Sequence, residues 1–148
     1  MDSYSMIDPY FLMADDNFGD FELLQEALRV IPMGSDLRLV HACDGQKAWE
    51  ILNTIPTGGI LPRLVVMDLH LPYITGVDVV ARMKGSTQLS SIPSIIISSG
   101  GVPQEDCCCA DAFFEKPGTW PEYLTFARTL CDSYLSMPRG ADTDIAVR

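Results

Sequence analysis

LVVMD, residues 64 to 68, is the stretch on which the fold turns: four consecutive apolar side chains closed by an aspartate. A strand with one face in water alternates apolar and polar residues. A strand without alternation is covered on both faces, as in a parallel sheet sandwiched by helices. The residues on either side agree. Upstream, 45–55 is a helical pattern with Ala48, Ile51, Leu52 and Ile55 on one face. Downstream, Val77 to Met83 is another, ended by Gly85.

Further out the same alternation recurs. Residues 10–14 (YFLMA) and 37–43 (LRLVHAC) read as strands, with a helix over 18–30 between them carrying Phe21, Leu24, Ala27, Leu28 and Ile31 inward. Asn17 is placed to cap that helix. Residues 95–98 (IIIS) and 112–115 (AFFE) are the last two strands, with a short helical turn expected over 104–109. A final helix starts near Thr119, takes Pro121 into its first turn and runs to about Ser136. Five strands alternating with helices form an α/β, doubly wound parallel sheet, for which 2-1-3-4-5 is the natural order. Residues 8–136 read as one domain. Residues 137–148 lose all periodicity and read as a flexible C-terminal tail, with no room left for an output domain.

Composition narrows the function. The 148 residues suit a single domain, and an apolar content of 47% builds a core without a metal or disulfide staple. A net charge of −10 with only 10 Lys plus Arg argues against nucleic acid or an anionic membrane as partner. No apolar run approaches the ~20 residues of a transmembrane helix. The N-terminus carries Asp2 and Asp8 and no basic segment, so no signal peptide is expected and the cytoplasm is the default. The five cysteines show no disulfide spacing and are expected reduced. Cys107, Cys108 and Cys109 would fan over about 200° of a helix and could not face one ion together, so they read as packing. Trp49 and Trp120 also read as packing, Trp120 at an exposed helix start.

The chemistry lies in the strand ends. Asp15 and Asp16 close the first strand, Asp68 the third, and these strands are neighbours in the expected order. Ligands of open parallel sheets bind at that switch point. Three close carboxylates repel one another, and one would protonate unless a cation relieves them. Mg²⁺ is one such cation, since it takes oxygen ligands. Lys116, one of three lysines and placed after the fifth strand, is another. Ser98 ends the fourth strand with a hydroxyl, and a slip of one residue would put Ser99 there instead. A nucleophile, a metal and oxygen-binding donors suit phosphoryl transfer to a carboxylate. Asp68 would be the nucleophile. Asp16 would hold Mg²⁺ directly, and Asp15 directly or through water. Lys116 and Ser98 would take phosphoryl oxygens. Singly, each acid also fits an ordinary turn residue.

These pieces, FLMADDN, VVMDLHLPYITGVDV, IPSIIISS and FFEKPG, resemble the bacterial response-regulator receiver domains, in the right order from about Pro9 to Tyr134. DDNFGDFELLQEAL also resembles the stand-alone subgroup that partners phytochrome-type histidine kinases. The resemblance implies a flavodoxin-like receiver fold and autocatalytic phosphorylation of Asp68 from a phosphohistidine. It adds the backbone carbonyl of His70 to the metal ligands Asp15, Asp16 and Asp68. It couples Ser98 and the aromatic Phe113 to a switch, and it implies a cis bond before Pro117. The segment between Ser98 and Lys116 is shorter than is usual in the family, so a shortened fourth helix is expected there. Ser98 stands where threonine is commoner. His70 is bulky for a residue bordering the site and is expected to alter water access. Phe113 and Phe114 alternate faces, and one of them must point into the core.

The reading is therefore a single-domain phosphoacceptor switch rather than a metabolic enzyme. Its partners would be a sensor histidine kinase or histidine phosphotransfer protein, with a homodimer over strands four and five and the last helix. Two rival readings fit the residues less well. A phosphorylation-independent pseudo-receiver would usually lack one of Asp68, Lys116 or Ser98. A phosphatase of the haloacid dehalogenase type resembles D-x-D, whereas Leu69 and His70 follow Asp68 here.

Overall fold

The computed structural model describes residues 9 to 100 and 109 to 135. Five parallel strands, β1 (Tyr10–Ala14), β2 (Arg38–Ala42), β3 (Leu64–Asp68), β4 (Ser94–Ser98) and β5 (Ala112–Glu115), lie in the order β2-β1-β3-β4-β5. Among the described residues the α-helices are α1 (Phe18–Val30), α2 (Gly45–Asn53), α3 (Gly76–Lys84) and α4 (Trp120–Leu130). Residues 104–108 of the short turn expected after β4 lie outside the described residues, as does the expected tail, and Cys109 sits in a turn. The last helix keeps α-helical form only to Leu130 and continues as one π-helical turn over Cys131–Leu135. A 3-10 turn at Pro32–Gly34, not foreseen, carries the chain from α1 towards β2.

Each helix begins where a polar side chain takes up the free amides of its first turn. Asn17 accepts from Gly19 and Asp20, Asp44 from Lys47, Thr75 from Asp78 and Thr119 from Glu122. Helices α1 and α4 cover one face of the sheet, where Phe21, Leu24, Leu28, Phe126 and Leu130 meet Phe11, Met13, Val66 and Ile97. Helices α2 and α3 cover the other, where Leu52, Val79 and Met83 meet Leu12, Val65, Met67 and Ile96. All five residues of β3 and of β4 are buried, which is why neither alternates in sequence.

The register sets the site. Ala14 pairs with Met67, Asp68 with Ile97 and Ser98 with Glu115. Asp15, Asp68, Ser98 and Lys116 therefore all fall at or one step past the carboxyl ends of neighbouring strands. Backbone bonds carry the ladder to that limit: the Leu69 amide donates to Ile97 at 2.8 Å, and the Lys116 amide to Ser98 at 2.9 Å.

The acidic site at the strand ends

Asp15 is wholly buried, Asp68 nearly so and Asp16 exposed. A carboxylate oxygen from each lies within 4.8 Å of the others. Into this cluster reaches Lys116, whose Nζ stands 3.1 Å from Asp68 Oδ2, 3.0 Å from Asp15 Oδ2 and 2.9 Å from Asp20 Oδ2. An ammonium has three N–H donors. Asp20 and Asp68 accept hydrogen bonds from it, whereas Asp15 Oδ2 lies off the hydrogen-bond direction and accepts none. A buried carboxylate oxygen left in that state is costly. Burial raises the Asp15 carboxyl from 3.8 to about 6; the Asn17 amide and Lys116 pull against that, and the Asp68 charge adds to it. Burial by itself would lower the Lys116 ammonium. The bonds to Asp20 and Asp68 and the adjacent Asp15 carboxylate more than offset it and push it up.

An orphaned buried oxygen among three carboxylates is the donor set that a hard divalent cation satisfies. The other Asp15 oxygen accepts from the Asn17 amide at 2.9 Å. The Asp15 backbone carbonyl is 2.8 Å from His41 Nε2, and the His41 ring is flanked by Phe18 and Phe21.

Asp68 is fixed from two directions. Its Oδ2 faces Lys116, and its Oδ1 accepts from the His70 amide at 3.1 Å. Behind it, Gly76 opens α3 so close that an added Cβ would stand 2.4 Å from the Asp68 carbonyl oxygen. Only glycine lets the helix start there. Between them Tyr73, 83% exposed, takes φ +68, and the Ile74 amide closes a three-residue turn onto Pro72 at 2.8 Å. His70 is exposed at the border of the site, as expected.

Ser98 is buried at the end of β4 and Ser99 is exposed. Its hydroxyl accepts from the Gly100 amide at 3.2 Å and is not among the groups bonded to Asp68. Phe113 packs with the α2–α3 side, while Phe114 meets Phe126 edge-on at 5.3 Å on the α4 side. The peptide bond before Pro117 is trans, against expectation, like every other described bond. Trans is the default even for X–Pro, by about 0.5–1 kcal/mol.

Sequence reading missed Asp20 and Tyr123. Asp20 is the acid in the first turn of α1, where a negative charge also suits the helix dipole. Yet α1 starts two residues after Asp16, and its first turn folds Asp20 back over the strand ends. There its Oδ1 accepts from the Tyr123 hydroxyl at 3.2 Å. Burial, with the Asp20 charge beside it, pushes the Tyr123 phenol up.

No family model matches the chain. The two-component response regulator ORR7 of Oryza sativa subsp. japonica is 30% identical over 112 residues, 73% of this chain and 50% of that protein. The two-component response regulator ORR11 of Oryza sativa subsp. indica is 29% identical over 113 residues, 74% of this chain and 71% of that protein. The chain thus spans about half of one such relative and more of the other. The structure of the bacteriophytochrome response regulator AtBRR is 26% identical with a TM-score of 0.64, covering 90% of this chain and 98% of that one.

This chain belongs to the response-regulator receiver domains.

Two further solved structures share the receiver fold at lower identity, each covering 88% of this chain and 96% of the other. The phosphorylated cyanobacterial phytochrome response regulator RcpA has a TM-score of 0.75 at 22% identity, and the Mn(2+)-bound form of response regulator Rcp1 has 0.73 at 21%. Receivers are phospho-switches modified on an aspartate. Asp68 has Lys116 on one carboxylate oxygen and the His70 amide on the other.

Proposed function

We propose that Asp68 accepts a phosphoryl group from a phosphohistidine, and that the acyl phosphate is the output state of this receiver. The observation that carries this is the Asp68 carboxylate held 3.1 Å from Lys116 at the switch point, with Asp15 and Asp16 beside it. In the transfer a carboxylate oxygen of Asp68 attacks phosphorus. The P–O bond forms as the P–N bond to the donor imidazole breaks, and the imidazole takes up a proton. Lys116 and the Ser98 hydroxyl then hold phosphoryl oxygens. Asp15, Asp16, Asp68 and the His70 carbonyl would hold Mg²⁺, which supplies neutralisation of the phosphoryl charge. Hydrolysis of the acyl phosphate is the only turnover this reading gives the protein; in other respects it is a switch, not an enzyme.

The donor would be a sensor histidine kinase or a histidine phosphotransfer protein. The likeness to regulators named for phytochromes favours a phytochrome-type kinase. Residues 8–136 would be the receiver unit. Ser98 and Phe113 would pass the change to β4, β5 and α4, the face on which a homodimer would form. A groove of about 590 Å³ along Phe114, Pro117, Pro121 and Phe126 gives that face relief. A net charge of −10 disfavours nucleic acid as partner. No described helix is long and apolar enough to cross a membrane, and a cytoplasmic location fits this reading. His70, exposed at the border, would set water access to the acyl phosphate; equal dephosphorylation rates for wild type and His70→Asn would refute that role.

Acetyl phosphate with Mg²⁺ tests the central reading by intact mass. The wild type should gain one phosphoryl group, and Asp68→Asn should gain none. Failure of the wild type to gain it, from acetyl phosphate and from an authentic kinase alike, would leave the pseudo-receiver.

A further inference from the structure

Lys116 carries one charge and serves three carboxylates, of which the phosphoacceptor reading uses two. The third, Asp20, comes from a different element and is anchored from both sides. Its Oδ2 takes the shortest of the three contacts, 2.9 Å, and its Oδ1 takes the Tyr123 hydroxyl at 3.2 Å. Tyr123 is itself buried on α4, and the Asp20 amide is held by the Asn17 cap. The carboxylate therefore cannot swing away from the ammonium without breaking a bond between α1 and α4.

Two N–H donors of Lys116 are bonded to Asp20 and Asp68, and its charge also faces the buried Asp15 oxygen at 3.0 Å, so a phosphoryl oxygen arriving on Asp68 must share the ammonium with the acids already around it. Asp15 is buried and needs the neighbouring positive charge. Asp68 is the group being modified. Asp20 is the partner whose bond can be exchanged, since its side chain is 20% exposed and keeps Tyr123.

We propose that Asp20 is a positioning residue that competes with the phosphoryl group for Lys116, and so lowers the affinity of the site for that group and shortens its lifetime. This rests on the phosphoacceptor reading of Asp68. The competition is electrostatic as well as geometric. Asp20 contributes a full negative charge within a lysine's width of an incoming dianion, in a site partly screened from water. A neutral amide at the same place would still accept from Tyr123 and would compete less for the ammonium.

The test is beryllofluoride binding in the presence of Mg²⁺, followed by the fluorescence of Trp120 and Trp49 or by amide chemical shifts, in the full chain. Asp20→Asn should bind roughly three- to tenfold more tightly than wild type. Its acyl phosphate, formed from acetyl phosphate, should decay more slowly by a similar factor. Asp20→Glu, which keeps the charge, should return towards wild type. Glu26→Gln removes a charge from the exposed side of α1, where Glu26 pairs with Arg29 at 2.8 Å, and should change neither quantity. A structural tether predicts the opposite sign, because loosening α1 from α4 can only weaken binding. Equal or weaker binding by a folded Asp20→Asn, with the wild type binding normally, overturns this inference and leaves Asp68 as acceptor. No binding by the wild type overturns both.

Discussion

The Ser98 hydroxyl accepts a hydrogen bond from the Gly100 amide, 3.2 Å away, at the buried end of β4. A hydroxyl that accepts in this way still has its own proton to give. Ser98 is thus oriented as a donor without being spent, and it need not leave Gly100 to bond a phosphoryl oxygen. Ser98→Ala should lose beryllofluoride affinity by about tenfold to a hundredfold, the usual worth of a bond to a charged group. Its Mg²⁺ affinity should stay within about twofold, because Ser98 is not one of the clustered carboxylates. Calorimetric titration with each ligand separates the two effects.

Lys116 is the counter-charge to three acids, so removing it should harm the metal-free protein most. Lys116→Met leaves Asp15 buried with its neighbours uncompensated. We expect a loss of about 2–3 kcal/mol in urea unfolding without divalent cation, reduced for partial solvent access at the site. Millimolar Mg²⁺ should recover a larger share of stability in the variant than it adds to the wild type. Equal gains would mean that the lysine and the cation do not relieve the same repulsion.

The buried Asp15 carboxyl gives the pH dependence a definite sign. Its value is raised from 3.8 to about 6. The metal-free folded state therefore holds a proton between those values that the unfolded chain has released. Stability lost by charging Asp15 is felt fully above pH 6 and recovered as the pH falls towards 3.8. Asp15→Asn should flatten that part of the profile and raise metal-free stability at pH 8 by up to about 3 kcal/mol. Mg²⁺ and the proton compete for the same oxygens, so cation affinity should run the other way, falling as pH drops below 6 with proton release on binding. Titrations at pH 5 and pH 8 check both signs.

Gly76 should be intolerant of any side chain. A Cβ there meets the Asp68 carbonyl oxygen at 2.4 Å, and backbone cannot rotate aside as a side chain can. Gly76→Ala should cost about 2–3 kcal/mol and displace Asp68 with the helix start, so stability and, on the proposed function, phosphoryl uptake should fall together. Gly85→Ala, whose added Cβ meets nothing closer than 3.7 Å at the other end of α3, should change little.

Much of this site was legible because parallel strands announce themselves twice, by losing alternation and by ending together. Leu64 to Asp68 and Ser94 to Ser98 are buried throughout, and their apolar runs stop where the sheet stops. That placed Asp15, Asp68, Ser98 and Lys116 at one edge. Asp20 escaped because position along a helix does not tell which neighbour the first turn overlies, and an acid there has a sufficient local reason to exist. Tyr123 escaped for the related reason that an inward tyrosine on an amphipathic helix looks like core, and only tertiary contact reveals where its hydroxyl ends. His41 sat inside an apolar strand and read as part of it, yet its ring meets the Asp15 carbonyl. The trans bond before Pro117 departs from what the family resemblance implied, since nothing local to that residue demands the rarer isomer.

The two halves of the site are borne by strands of unlike burial. Asp68 closes β3, buried at all five positions and flanked on both sides, while Lys116 follows β5, an edge strand buried at none of its four. Their backbones should open to solvent at different costs. Amides of β3 should exchange with deuterium only on global unfolding, and those of β5 by cheaper local excursions. Asp68 would thus keep time with the whole molecule, and Lys116 with the edge alone. A partner that clamps β5 could prolong the signal without touching the aspartate.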